Sequence, residues 1–123
     1  MRQRIGHLMC AALFAVLCGA DVWQLVQAAR GAHPDAPSLL MTHVVTGFLA
    51  GAAAVGSWRR RAWAERAVLG WGAVTAAMLV ALGPVLDTPA SERPQLWVAA
   101  VAIASLASAV AWYLHRSARA PAP

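Results

Sequence analysis

Four stretches of this chain are almost free of charge, and polar breaks separate them. They cover about residues 5–29, 39–58, 66–86 and 96–114. A bilayer core about 30 Å thick takes about 20 residues at the rise of an α-helix, so each stretch is long enough to cross it. The breaks carry their own signals. Arg30-Gly31 ends the first run, two prolines follow, and Ser38 is placed to cap the next helix. A basic hairpin at 59–65 separates the second run from the third. Gly83-Pro84 near the end of the third removes a backbone donor and should bend or fray its last turn. Pro94 suits the first turn of a fourth helix, and the tail 115–123 is basic, proline-ended and expected to be disordered. The pattern predicts an all-α protein, a four-transmembrane-helix antiparallel bundle forming a single membrane domain over 1–123.

The first run could be a signal peptide with Cys18-Gly19-Ala20 at its cleavage site. It continues as DVWQLVQAA, long enough to span, so an uncleaved anchor is expected.

Composition agrees with lipid as the solvent. The chain is 60% hydrophobic and 12% charged, against about a quarter charged in a soluble domain. Its net charge of +5 would suggest nucleic acid in a soluble protein. Here the arginines sit beside apolar runs, where membrane topology explains them and nucleic acid is excluded as a partner. Arg2, Arg4, Arg59, Arg60, Arg61, Arg66, Arg116 and Arg119 fall on one side of the expected bundle, Arg30 and Arg93 on the other. The positive-inside rule then puts both termini and the basic hairpin in the cytoplasm, an N-in/C-in arrangement. Trp58, Trp63, Trp97, Trp112 and Tyr113 fall near span ends, where amphipathic rings sit at headgroup level. The chain has ten Arg, no Lys and no Asn, a bias associated with GC-rich bacterial genes. The expected location is therefore the bacterial cytoplasmic (inner) membrane.

The second run carries Gly47-x-x-x-Gly51 and Ala52-x-x-x-Gly56, small residues that let helix backbones approach where lipid supplies no hydrophobic drive. The fourth places Ala100, Ala104 and Ser108 at four-residue spacing, a second expected packing face. Such faces serve packing within a chain or a homo-oligomer, with packing within the chain preferred. Cys10 and Cys18 are eight residues apart on one helix, about 12 Å along its axis, so they cannot bridge each other.

Candidate chemistry centres on Asp21. A carboxylate within a span costs about 2.5 to 3.5 kcal/mol at the membrane centre, which makes it a functional candidate. It lies about 13 Å along the helix from Arg30, in the outer half, and shares a face with Gln24. His43 on the second helix falls at a comparable depth, one turn from Gly47. Asp21, Gln24, His43 and Thr46 are therefore expected to form one intramembrane polar cluster. Its plainer role is a hydrogen-bonded lock between helices, and its sharper one a proton or substrate site. Thr75, midway along the third helix, is expected to bond back to its own helix.

No metal or cofactor is expected. His7 and His115 lie near the same ends of helices one and four, as a haem held between helices would need. His7 is a turn inside Arg4 while His115 adjoins Arg116, and histidines at an interface need no further explanation, so haem is set aside. His33 and Asp35 in the outer loop give only two ligands, a poor metal site. Arg59, Arg60, Arg61 and Arg66 set topology and could attract anionic lipid headgroups.

With no room for an extramembrane catalytic domain, the chain is expected not to be an enzyme. The first reading is a non-catalytic accessory, scaffold or regulatory component meeting a larger membrane partner or its own copies. The alternative is a small oligomeric transporter or channel that uses Asp21 and His43.

Overall fold

A computed structural model of the chain describes residues 2–31, 37–85 and 87–120, the side chains of Ser38, Leu82 and Val85 excepted. Four helices account for nearly all of it: α1 (Arg2–Ala29), α2 (Pro37–Trp58), α3 (Ala64–Val85) and α4 (Arg93–Arg119). All four are long and apolar enough to cross a membrane. Each runs antiparallel to the one before it, which gathers Gln3, His7, Arg60, Arg61, Leu114 and Ser117 at one end of the bundle. That end is called the Arg-rich end below.

The boundaries differ from the sequence reading mainly where charge made the expected spans too short. α4 continues five residues past Leu114, through a stretch expected to be disordered. Its polar side chains find partners on the helix itself and on α3. Ser117 Oγ donates to the Tyr113 carbonyl at 2.8 Å, and the Arg116 guanidinium lies 4.9 Å from the centre of the Trp112 ring. α2 opens at Pro37, whose fixed φ suits a first turn, so Ser38 stands inside the helix. The Ser38 side chain, expected as a cap, lies outside the described residues, as do His33 and Asp35. Pro84 sits within α3, which carries on to Val85.

Neighbours in sequence are neighbours in space: α1 packs on α2, α2 on α3, and α3 on α4, while α1 and α4 touch little. Where α1 and α4 do meet, near the Arg-rich end, Gly6 lies against the Tyr113 hydroxyl and the His7 and Tyr113 ring centres are 6.0 Å apart. The core is built from alanines (Ala50, Ala53, Ala64, Ala67, Ala107, Ala111) around Val68, Leu114, Phe14 and Trp71. Phe14 and Trp71 meet edge to face, with ring centres 5.3 Å apart at 88°. Residues without bulk let the helix backbones approach, so such a core coheres by close contact. Leu8, Met9, Val16, Phe48, Val98 and Val101 point outward.

The small-residue face of α2 is used inside the chain. A Cβ placed on Gly47 would lie 3.1 Å from Asp21 Cβ, and one on Gly51 would lie 3.3 Å from Cys18 Sγ, both on α1. Gly56 instead faces Trp63 and Ala64 at the start of α3. On α4 the expected face is corrected. Ala100 is buried, but Ala104 and Ser108 face outward, and Ser108 Oγ donates to the Ala104 carbonyl of its own helix at 2.8 Å. The buried stripe runs Ala100, Ala107, Ala111 and Leu114. Helical geometry explains the difference: a four-residue step advances about 40° around the helix, so three such positions walk off one face. Steps of seven and four nearly cancel.

Candidate functional site

Beyond the Phe14–Trp71 contact, on the side away from the Arg-rich end, the four helices part around a cavity of about 480 Å³. Its walls are apolar, from Leu17 on α1, Met78 and Leu79 on α3, and Ile103 and Val110 on α4. Leu13 on α1 and Leu106 on α4 also line it and are 41% and 50% exposed, which marks a mouth along the loosely joined α1–α4 seam. The polar groups on its wall are Asp21, His43, Thr46 and Thr75.

Asp21 and His43 are joined directly. The His43 imidazole Nδ1 donates to Asp21 Oδ1 at 2.8 Å, with the side chains 24% and 16% exposed respectively. Gly47 makes this possible. One turn after His43, it presents bare backbone to Asp21, so α1 approaches closely enough for the carboxylate to reach the ring. Thr46 is buried beside them, but its hydroxyl turns inward to its own helix, donating to the Thr42 carbonyl at 2.8 Å. Of the four residues expected to cluster, three line the cavity. Gln24 does not, and its side chain is exposed. A three-residue step turns about 60° short of a full turn, enough on this helix to carry Gln24 off the Asp21 face.

Thr75 corrects a second expectation. Its Oγ1 is buried at the cavity wall with no hydrogen-bond partner among the described residues, rather than bonded back to α3. A lone hydroxyl mid-span looked self-sufficient in the sequence.

The Arg-rich end holds a second acid–histidine pair. His115 Nδ1 donates to Glu65 Oε2 at 2.7 Å, tying α4 to α3. Glu65 was not singled out in the sequence, although it is the one carboxylate within the basic hairpin region. His7 and His115 do not face each other. His7 packs toward Tyr113 and the Ser57 backbone, while His115 is bound to Glu65. Among the described residues, no group of three or more His, Cys, Asp or Glu converges to hold a metal ion.

Comparisons with known protein families, characterised proteins and solved structures found no match.

Proposed function

We propose that this chain is a small non-catalytic protein of the bacterial cytoplasmic membrane, with both termini and the Arg59–Arg61 hairpin inside, that binds an apolar amine in its inter-helix cavity. The cavity itself carries this reading. Its volume of about 480 Å³ falls in the range of small-molecule sites, and such sites combine apolar walls with a few converging polar groups. The polar groups here are a carboxylate whose neighbour already donates to one of its oxygens, and an unpartnered threonine hydroxyl. An ammonium head supplies the positive charge and the N–H donors that Asp21 accepts, and that Thr75 accepts once its hydroxyl turns toward the cavity. The apolar body fills the space beneath, down to Phe14 and Trp71. Entry along the α1–α4 seam suits a molecule that first partitions into lipid.

Such a module can serve as the ligand-sensing or accessory component of a larger assembly. Transport by an oligomer draws less support, because Gly47 and Gly51 are already occupied by α1.

The experiment compares one apolar body with three heads. Thermal unfolding of the full chain in mild detergent is followed with 1-adamantylamine, 1-adamantanol and 1-adamantanecarboxylate. A ligand that binds the folded state raises the melting temperature. The amine should raise it most and the carboxylate least. Asp21→Asn should erase the ranking, and Leu106→Trp, which narrows the mouth from an exposed position, should reduce all three shifts. Equal shifts for the three heads would remove Asp21 from the site, and no shift with any of them would remove the cavity.

A further inference from the structure

A separate recess lies at the Arg-rich end, between α1 and the end of α2. It has a volume of about 390 Å³ and is bounded by Arg4, His7, Leu8, Trp58 and Arg60. Among the described residues, no carboxylate lines it. Below it an apolar groove of about 660 Å³ runs along the outside of the α1–α2 pair, over Ala11, Ala15, Ala54 and Val55. Leu8 and Trp58 belong to both, and Arg59 stands at the groove's upper edge. A cationic pocket therefore opens directly into an apolar channel parallel to the helices.

Two features of the pocket call for explanation. His7 is only 7% exposed, yet its Nδ1 has no hydrogen-bond partner among the described residues. Arg60 occupies the left-handed backbone region at φ 53°, where glycine is the usual residue. It ends α2 in a Schellman arrangement: Arg61 N–H donates to the Gly56 carbonyl at 2.9 Å and Arg60 N–H to the Ser57 carbonyl at 3.2 Å. The backbone here wants a glycine, and the chain places a guanidinium beside His7 instead.

We infer that this recess and groove together form a binding site for one anionic phospholipid, its phosphate held by Arg4, Arg60 and His7 and one acyl chain lying along the α1–α2 groove. Charge and shape each select part of this ligand. Guanidinium groups favour phosphate oxygens, and the His7 ring adds a donor to them when its Nδ1 carries the proton. The alanines lining the groove leave room for a chain of methylenes, and Trp58 covers the junction of head and tail. A free phosphate satisfies the pocket but leaves the groove without a role. A neutral lipid does the reverse.

The test is native mass spectrometry of the full chain released from mild detergent. Phosphatidylglycerol is titrated against diacylglycerol with the same chains and against glycerol 3-phosphate. Phosphatidylglycerol should be retained in a one-to-one complex, and the other two should bind far more weakly. Arg60→Gly relieves the backbone while deleting the charge. It should weaken phosphatidylglycerol binding about fivefold, as loss of one interfacial arginine does, with a melting temperature no lower than that of the parent. Arg4→Gln, which removes no side-chain hydrogen bond among the described residues, should act in the same direction. Ala15→Trp should block the groove and also weaken binding. Retention of diacylglycerol equal to that of phosphatidylglycerol would overturn the inference. So would unchanged binding by Arg60→Gly and Arg4→Gln. Glycerol 3-phosphate binding as tightly as the lipid would overturn it too, by showing a phosphate site that makes no use of the groove.

Discussion

The two acid–histidine contacts have the same chemistry and different surroundings, and their contributions should differ accordingly. Asp21 and His43 are 16% and 24% exposed, whereas Glu65 and His115 are 28% and 42% exposed at the Arg-rich end. A double-mutant cycle with Asp21→Ala and His43→Ala, read by thermal unfolding in detergent, should give a coupling of about 0.6 to 1.7 kcal/mol, the range for polar contacts between membrane helices. The same cycle on Glu65 and His115 should give about 0.2 to 1 kcal/mol, because water and ions screen that pair. Additive losses at Asp21 and His43 would mean that the inner bond contributes nothing to the fold. At this scale the sequence was partly legible. Asp21 and His43 could be matched by counting residues from the polar breaks, since helical rise converts sequence distance into depth. Gln24 and Thr75 could not be placed that way, because depth leaves rotation about the helix axis undetermined. Rotation is set by the partner helices.

Between elements, contact depends on which positions lack a side chain. Gly72 on α3 lies against Ala107 on α4, and an added Cβ there would collide with the alanine methyl. Gly19 on α1 has open space where its Cβ would go. Replacing each by alanine should therefore have opposite effects. Gly72→Ala should cost about 1 to 3 kcal/mol through overpacking, and Gly19→Ala should gain up to about 1 kcal/mol from helix propensity. Melting temperatures of the two variants check this, and a neutral Gly72→Ala would show that the α3–α4 contact can give way. Gly72 and Ala107 stand in spacings (Gly72 with Ala76, Ala107 with Ala111) that look no different from many others in the chain. The Ala104 and Ser108 spacing has the form of a packing face, yet it faces outward. Alanine fills so much of this chain that spacing alone selects no face, and the bulky residues Phe14, Val68 and Trp71 decide which side turns in.

For the molecule as a whole, four helices long and apolar enough to cross a membrane, and their order, were readable because a bilayer demands apolar length and short polar breaks leave an up-and-down arrangement. The partial opening between α1 and α4 was not, since it depends on where side chains fail to meet. The orientation proposed above rests on eight arginines at one end against Arg30 and Arg93 near the other. Reporter fusions check it: alkaline phosphatase should be active when joined after Ala90 and inactive after Arg61 or Arg119. Activity after Arg61 would reverse the orientation, and replacing Arg59, Arg60 and Arg61 together by alanine should give mixed topologies.

Each acid–histidine bond lies within one helical hairpin, α1 with α2 and α3 with α4, and this has a bearing on biosynthesis. A chain made from its N-terminus exposes Asp21 alone only until His43, 22 residues later, has emerged. From then on the first hairpin supplies its own carboxylate with a hydrogen-bond partner without waiting for the rest of the protein. The second hairpin brings Glu65 and His115 together in the same self-contained way. The two halves can each settle as finished units during translation, and their docking against one another is left as a late step that involves neither bond.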